Sequence, residues 1–402
     1  MIKPTLFGYG LTTKAIAKKL GGGCIFFDDR TEISYEDEDK NTIHPSKLFD
    51  PNKSTLEVTT PSLPPSHPLI QQAENLLSEY DYFAKEMPFS IWISGTNGKT
   101  TTTQMLTHLL KEKGALSGGN IGIPLADLDT NSPMWVLESS SYTLEHTHIA
   151  SPNIYILLPI TPDHLNWHGD MPSYSQAKLS PLKRMKEGEL ALVPKGLDLP
   201  KTHAYVVEYD SNDFLCEYFS LDSKKLNYKG AFLEDALLSL AMTKVLFDEV
   251  DYDLMNTFKR DAHRQEEFYD AEKRLWVNDS KATNIDASIQ AIKTYSDKKI
   301  HIILGGEDKG VDLNPLFKAM QNLNISIYTI GKNHDTLLLL SKTYDIHCIS
   351  SQTIDIAVQN IHLKLKSDEI ALLSPAAASF DQFKSYTHRG ETFISLVQNL
   401  KK

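Results

Sequence analysis

The segment from Ser94 to Thr101, with the sequence SGTNGKTT, combines residue types that suit phosphate binding. Its two glycines let backbone N–H groups turn toward phosphate oxygens, its lysine adds a positive charge, and the threonine after it is a suitable Mg²⁺ ligand. The general pattern GxxxxGK[ST] would place glycine at position 93, where this chain has Ile93, so the segment is a variant. It predicts a nucleoside triphosphate site formed by Gly95, Thr96, Asn97, Gly98, Lys99, Thr100 and Thr101.

The elements around this segment support the prediction. An apolar run predicts a strand over Phe89–Ser94, and a helix is predicted from Thr100 to Lys113. A helix that begins here directs the positive end of its dipole at the same phosphates. The alternative is a glycine-rich turn with a chance Lys-Thr pair, but the strand before it and the helix after it favour the phosphate site.

Three further residues could complete such a site. Glu138 follows a predicted strand over Trp135–Leu137, at the edge where sites form in open α/β sheets. Taken alone, it fits a helix cap as well as a metal ligand. His164 follows the predicted strand Ile154–Ile160, where a lone histidine is more often structural. Lys178, taken alone, has the character of a surface lysine.

Composition bounds the class of protein. A chain of 402 residues suggests two or three domains, and 41% hydrophobic residues exclude disorder. A net charge of −11 without a long basic block argues against a nucleic-acid or membrane-surface partner. The three cysteines lie far apart, and no apolar run reaches about 18 residues. We therefore expect a cytoplasmic, multidomain, soluble protein.

The order of elements predicts an α/β fold. Short apolar runs alternate with amphipathic stretches, which is typical of parallel sheets. We expect domains at 1–86, 87–260 and 261–402, with a loop from Glu32 to Lys53 and a helix over Ile70–Phe83 in the first. Other strands are predicted at Lys3–Phe7, Cys24–Phe27, Leu190–Val193, Leu275–Asn278, Ile300–Leu304, Ile325–Ile330 and Ile370–Leu373, and helices at Leu11–Leu20 and Leu233–Leu246.

Seven further motifs occur in order along the chain, within a pattern that spans about residue 5 to 395. They are Asn120-Ile-Gly-Ile-Pro124, Glu138-Ser-Ser-Ser141, Asp163-His-Leu165, His263-Arg264, Asn278-Asp-Ser-Lys-Ala-Thr-Asn284, Gly305-Gly-Glu-Asp-Lys309 and Ser374-Pro-Ala-Ala-Ala-Ser379. Together with GTNGKTT they resemble the Mur ligases, a family of ATP-dependent amide ligases. The stretch from Ser379 to Tyr386, followed by Arg389-Gly390, is similar to the loop of the members that handle D-glutamate.

This resemblance implies a fold and a reaction. The fold would have a Rossmann-like N-terminal domain, a central P-loop ATPase-type parallel sheet and a C-terminal Rossmann-like domain whose closure completes the site. The reaction would add D-glutamate to UDP-N-acetylmuramoyl-L-alanine through an acyl phosphate. It would use ATP and two Mg²⁺ ions, in cytoplasmic peptidoglycan precursor synthesis by a monomer.

The resemblance also implies residue roles. The UDP-sugar contacts would be Leu11, Thr12, Asp28, Arg30, Ser62 and Asn120. The metal ligands would be Thr100, Glu138, His164 and Lys178, the last as a carbamate. Arg264, Asp279 and Lys281 would meet ATP, and Thr283, Lys309, Ser379, Phe380 and Tyr386 would surround D-glutamate. The residues implied to act in catalysis are Lys99, His164, Lys178 and Arg264.

Two departures and three alternatives accompany this interpretation. Asp235 stands where relatives carry an adenine-contacting Asn, at one residue's uncertainty, and Thr60-Pro61-Ser62 replaces the usual Ser-Pro-Gly.

A sister ligase for L-alanine, a diamino acid or a dipeptide, or folylpolyglutamate synthetase, would share the phosphate loop. An NAD-dependent dehydrogenase would use Gly8-Tyr-Gly10 and Asp28, but Thr13 occupies its third glycine position. A non-enzymatic nucleotide switch would need neither Lys309 nor the loop after Ser379.

Overall fold

The computed structural model describes residues 3–307 and 310–400, which form three six-stranded sheets. They divide into two compact units, described separately below. Unit 1 comprises Met1–Asn227 with Phe232–Phe258, and unit 2 comprises Tyr228–Ala231 with Lys259–Lys402. Within the described ranges, no helix combines the length and apolar character that a membrane span requires.

The first sheet of unit 1 has the strand order β3-β4-β2-β1-β5-β6. All neighbours are parallel except β3 and β4. Strand order reverses at β1, so the carboxyl ends of β1, β2 and β5 open a crevice there. Its elements are β1 (Thr5–Phe7), α1 (Leu11–Lys19), β2 (Ile25–Asp28), β3 (Tyr35–Glu36), β4 (Thr42–Pro45), β5 (Glu57–Thr59), α2 (Pro68–Gln72), β6 (Leu76–Leu77) and α3 (Glu79–Tyr82).

The second sheet of unit 1 is wholly parallel, in the order β12-β11-β10-β7-β9-β8. Its central strand β7 is buried along almost its whole length, and strand order reverses beside it. The elements are β7 (Phe89–Ser94), α4 (Lys99–Leu110), β8 (Ala115–Gly119), β9 (Met134–Glu138), α5 (Ser141–Glu145), β10 (Ile154–Leu157), α6 (Leu165–His168), α7 (Met171–Leu179), β11 (Leu190–Pro194), β12 (Tyr205–Tyr209), α8 (Asn212–Phe219), α9 (Ala231–Phe247) and α10 (Tyr252–Asn256).

The sheet of unit 2 has the order β13-β14-β18-β15-β16-β17, with only β13 antiparallel to its neighbour. Its two faces are covered by separate apolar clusters of helix and strand residues. The elements are β13 (Glu266–Tyr269), β14 (Leu275–Asn278), α11 (Ile285–Thr294), β15 (Ile300–Leu304), α12 (Asn314–Met320), β16 (Ile325–Ile330), α13 (His334–Thr343), β17 (His347–Gln352), α14 (Ile354–His362), β18 (Ile370–Leu373) and α15 (Tyr386–Gln398).

Two of the element predictions are wrong. The helix predicted over Ile70–Phe83 is two short helices separated by β6, because the backbone of β6 pairs with β5 and this pairing outweighs the local helical pattern. The loop predicted from Glu32 to Lys53 contains β3 and β4. Strand β4 forms because it pairs with β2 and places Ile43 in the core.

Asp81 joins the two sheets of unit 1 through backbone contacts. It lies in α3, is buried, and its carboxylate accepts the N–H groups of His148, Ile149 and Ala150 at 2.7–2.8 Å. Those three residues lie in the loop between α5 and β10. The carboxylate therefore satisfies three backbone donors, of which the Ala150 N–H is buried.

We predict that Asp81→Ala lowers the free energy of unfolding by about 3 kcal/mol, since it removes three hydrogen bonds to a charged acceptor and leaves the buried Ala150 N–H without a partner. Urea unfolding followed by circular dichroism measures this change. The control is Asp210→Ala, an exposed carboxylate, for which we expect a change within about 0.5 kcal/mol. Equal effects of the two substitutions would contradict this role of Asp81.

Candidate active site

The phosphate loop lies at the carboxyl end of β7 and leads directly into α4. Gly98 precedes the helix with φ +85°, and a Cβ at this position would lie 2.7 Å from the Asp235 Oδ1 atom. Gly95 has φ +140°, and its Cβ would lie 2.5 Å from the Cβ of Leu158. Both positions therefore require glycine, and the loop backbone lies close to its neighbours. The first N–H groups of α4 have no acceptor within the helix, as at any helix N-terminus.

Two lysine side chains donate to the same loop oxygen. The Lys99 Nζ atom lies 3.0 Å from the Gly95 carbonyl oxygen and 2.7 Å from that of Thr96. The Lys178 Nζ atom, carried by α7, lies 2.7 Å from the same Gly95 oxygen. The lysine that resembles a surface residue in the sequence is thus fully buried against the phosphate loop.

The environment of Lys178 favours its uncharged form. Burial lowers the pKa of its amine well below the usual value, and the positive charge of Lys99 lowers it further. The carboxylates of Asp163 and Glu138 act in the opposite direction without reversing the shift. A neutral amine is nucleophilic, which is the property that carbamate formation with CO₂ requires.

Glu138, at the end of β9, has one carboxylate oxygen engaged and one without a partner. The Glu138 Oε1 atom accepts the Asn120 side-chain amide at 2.6 Å, whereas the buried Oε2 atom has no hydrogen-bond partner among the described residues. Leaving a carboxylate oxygen buried and unpaired is costly. This orphaned oxygen fits the role of a metal ligand.

His164 is the second implied metal ligand in this region. Its Nδ1 atom lies 2.6 Å from the hydroxyl of Tyr142, and its backbone is left-handed, with φ +55°. The other ring nitrogen, Nε2, lies 3.6 Å from the Asp163 Oδ2 atom. Within the described ranges no three Asp, Glu, His or Cys side chains form a ready metal cluster. The donors present fit Mg²⁺ only with oxygens added from Thr100, the substrates and a modified Lys178.

Asp235 lies behind the phosphate loop. It is buried in α9, and its Oδ1 atom accepts the hydroxyl of Thr102 at 2.8 Å. The carboxylate therefore ties α9 to the first turn of α4. Its contact with adenine stays a prediction.

Five of the six residues predicted to contact the UDP-sugar line two cavities of unit 1. One cavity is lined by Leu11, Thr12 and Asn120, together with Glu79 and Tyr80 and others. The second is lined by Asp28 and Arg30 with several neighbours, including Tyr9, Lys14 and Tyr35. Ser62 lies in the turn after β5, is exposed, and lines neither cavity. Its backbone oxygen accepts the indole N–H of Trp167 at 3.3 Å.

Asp28 is held as an acceptor at the end of β2. Burial raises the pKa of this carboxyl, but hydrogen bonds from the Arg30 side chain and from the backbone N–H groups of Tyr9 and Arg30 outweigh burial and lower it overall. The Tyr9 N–H bond is 2.7 Å long. Asp28 is therefore a fixed anion next to the cavity that it lines.

In unit 2, the residues predicted to meet ATP lie just before β13 (Arg264) and just after β14 (Asp279 and Lys281), at the same end of this antiparallel pair. Asp279 ends β14 and accepts the Ser374 hydroxyl at 2.7 Å and the Gln265 N–H at 3.2 Å. Burial raises the pKa of Asp279 to about 7, against the opposing effect of these bonds and of Arg264. The buried Nε atom of Arg264 has no hydrogen-bond partner among the described residues.

The predicted D-glutamate residues form a second group in unit 2. Ser379 is buried and Phe380 is largely exposed, in the loop between β18 and α15. Tyr386 begins α15, and the Lys281 Nζ atom lies 5.6 Å from the centre of its ring. Thr283 lies two residues beyond Lys281 in the loop before α11. Lys309 lies outside the described residues.

Sequence comparisons identify the family. Residues 93–238 match the model of the Mur ligase middle domain. The UDP-N-acetylmuramoylalanine–D-glutamate ligase of Campylobacter jejuni strain 81-176 is 47% identical over 99% of this chain and 100% of its own, and that of Helicobacter pylori strain HPAG1 is 43% identical over 98% and 99%. The chain belongs to the UDP-N-acetylmuramoylalanine–D-glutamate ligase family.

Solved structures show the same fold. MurF ligase from Thermotoga maritima in complex with ADP aligns with a TM-score of 0.58 at 15% identity, over 98% of this chain and 97% of its own. MurC from the same organism aligns with a TM-score of 0.56 at 17% identity, over 98% and 99%. The expected three-sheet α/β architecture of the Mur ligases is confirmed.

Two residues of this ligase's site escape prediction from its sequence. Tyr142 contacts His164, and Tyr174 contacts the phosphate loop through a 3.0 Å bond between its hydroxyl and the Thr96 hydroxyl. Both are aromatic residues in ordinary helical segments, so no local signal separates them from core residues. Only the packing of α5 and α7 beside the loop reveals them.

We predict that Gly98→Ala weakens ADP binding at least about tenfold. The left-handed backbone conformation costs alanine free energy, and its Cβ would clash with the Asp235 carboxylate. Isothermal titration calorimetry measures the affinity. Gly188→Ala is the matched control, since Gly188 has φ +87° with nothing within 4 Å of its Cβ position. Unchanged ADP affinity in Gly98→Ala would count against a phosphate site at this loop.

Proposed function

We propose that this chain catalyses the ATP-dependent addition of D-glutamate to UDP-N-acetylmuramoyl-L-alanine, a step of peptidoglycan precursor synthesis. Two observations carry the proposal: buried Lys178 donates to the phosphate loop, and the buried Oε2 atom of Glu138 has no hydrogen-bond partner among the described residues. Full-length relatives at 43–47% identity bear the name of this ligase. We also propose the division into domains 1–86, 87–260 and 261–402, a cytoplasmic location and a monomer.

The reaction proceeds by activating a carboxylate. An oxygen of the L-alanyl carboxylate attacks the γ-phosphorus of ATP, the bond to the β,γ-bridging oxygen breaks, and ADP leaves. The D-glutamate amine then attacks the carbonyl carbon of the acyl phosphate, loses a proton, and displaces inorganic phosphate. Lys99 and Arg264 neutralise oxygens that would otherwise repel one another, so the protein contributes mainly positioning and charge.

The metal ligands proposed in unit 1 are Thr100, Glu138, His164 and carbamylated Lys178. Two Mg²⁺ ions bound there would supply positive charge to the phosphate oxygens. The Asn120 amide holds Glu138 Oε1, so the free Oε2 keeps a fixed direction. Tyr142 does the same for the ring of His164.

Hydroxyl and cationic groups suit the two carboxylates of D-glutamate. We assign this donor role to Lys309, Ser379 and Thr283, and we propose that Phe380 and Tyr386 also surround the amino acid. The assignment distinguishes this chain from ligases that add neutral or cationic amino acids, because those would not need several donors for a second carboxylate.

The direct test is ADP release by purified protein supplied with ATP, Mg²⁺ and UDP-N-acetylmuramoyl-L-alanine. We expect release to depend on D-glutamate and not on L-alanine, L-lysine or D-alanyl-D-alanine. Lys99→Ala should reduce the rate at least about a thousandfold by removing a phosphate charge, whereas Lys111→Ala, an exposed lysine after the same helix, should not. Release that is independent of the amino acid, or supported only by another one, would refute the assignment.

A second prediction concerns Lys178. Lys178→Ala should lose most activity, and added short carboxylic acids should restore part of it by occupying the place of the carbamate. The measurement is the rate of ADP release at increasing acetate or formate concentration. Lys178→Arg serves as the control, because its bulk and charge leave no space for the acid. Full activity of Lys178→Ala without added acid would disprove the carbamate.

A further inference from the structure

Arg389 is a buried cation that the proposed mechanism does not use. It lies in the first turn of α15 and has no exposed surface. Its Nε atom donates to the Ser280 hydroxyl at 3.0 Å and its NH2 group to the Ser280 carbonyl oxygen at 2.8 Å. Its NH1 group donates to the carbonyl oxygens of Ala377 at 3.1 Å and Ala378 at 3.4 Å.

These acceptors belong to two loops at the carboxyl edge of the unit 2 sheet. Ser280 stands between Asp279 and Lys281 in the loop after β14, and Ala378 precedes Ser379 in the loop after β18. One guanidinium therefore connects the loop of the proposed ATP residues to the loop of the proposed D-glutamate residues. All three of its nitrogens take part.

A third loop is hydrogen-bonded to the same carbonyl oxygen of Ala378. The backbone N–H of Glu307, in the loop after β15, donates to the Ala378 carbonyl oxygen at 2.9 Å. The Ser280 hydroxyl also donates to the Tyr386 carbonyl oxygen at 2.8 Å. Movement at Ser280 or Ala378 would thus reach the start of α15 and the loop after β15 as well.

The geometry requires an arginine. The guanidinium is planar and directs donors along fixed directions to two separate loops, whereas a lysine ammonium is a point donor that cannot span both. Burial lowers the pKa of Arg389 to about 10 against the opposing charge of Asp381, so the group still carries its charge at neutral pH. The four acceptors named above are one hydroxyl and three backbone carbonyl oxygens, and none of them is a carboxylate.

We propose that Arg389 is a positioning residue for D-glutamate: it fixes the loop after β14 relative to the loop after β18 and so holds Thr283 and Ser379 in register. The proposal rests on the proposed function for the identity of the amino acid. The fixing of the loops does not depend on the proposed function, because all of these hydrogen bonds lie within unit 2.

The test compares Arg389→Lys with Arg274→Lys. Arg274 is also buried, and it donates to the backbone carbonyls of His362 and Leu365 and to the Asp270 carboxylate. It lies just before β14, at the opposite end of the sheet. Arg389→Lys should raise KM for D-glutamate about tenfold or more, as expected when two loops lose their common donor, and leave KM for UDP-N-acetylmuramoyl-L-alanine within about twofold. Arg274→Lys should lower Tm and change neither KM.

Ser280→Ala provides a second, smaller change. It removes one acceptor of Arg389 without altering the guanidinium, and we expect a rise in KM for D-glutamate in the same direction but smaller. Amide hydrogen exchange, measured without substrates, should become faster in 279–284 and 374–379 in Arg389→Lys and not in Arg274→Lys.

Two outcomes would overturn the proposal. One is unchanged exchange in both loops of Arg389→Lys; the other is a loss of Tm with unchanged KM for D-glutamate, which would make Arg389 merely structural. A wild-type protein that ignores D-glutamate would refute the proposed function instead, and the exchange measurement would still decide whether Arg389 fixes the loops.

Discussion

The carbonyl oxygen of Gly95 accepts hydrogen bonds from two lysine side chains, and this contact organises the central part of unit 1. Lys99 reaches it from α4 and Lys178 from α7. Two ammonium groups on one oxygen repel each other, and the fully buried member loses its charge more readily. The phosphate loop is thus bounded by the Lys99 cation and by the Lys178 amine, whose pKa is lowered, and Lys178 reaches the loop because α7 packs against it.

The same region connects the loop to the proposed substrate cavity. Asn120 lines that cavity and also donates to Glu138 Oε1, so a side chain at the cavity orients the proposed metal ligand. Each sheet places its polar residues at carboxyl ends of parallel strands, close to where strand order reverses. The chemistry therefore depends on short loops whose ends are fixed by buried strands.

The sequence predicts the buried strands and the phosphate loop well. Strands β14, β15, β16 and β18 have the predicted bounds, because central parallel strands are continuous apolar runs. The sequence predicts none of the six edge strands, which are β3, β6, β8, β12, β13 and β17, and it does not predict the short inner strands β4 and β5. An edge strand is paired on one side only and needs fewer apolar residues, so its pairing comes from tertiary contacts. For the same reason the burial of Lys178 and the contact of Tyr142 with His164 leave no signal in the local sequence.

The resemblance to a ligase family supplied most residue roles, and these roles stay predictions where only the pattern supports them. The central claim is that the γ-phosphate at the Gly95–Thr101 loop passes to the substrate carboxylate. Its most direct test uses UDP-N-acetylmuramoyl-L-alanine labelled with ¹⁸O in the carboxylate, with ATP and D-glutamate, followed by mass spectrometry of the inorganic phosphate. The account predicts one ¹⁸O atom in each phosphate released; phosphate without label would contradict it.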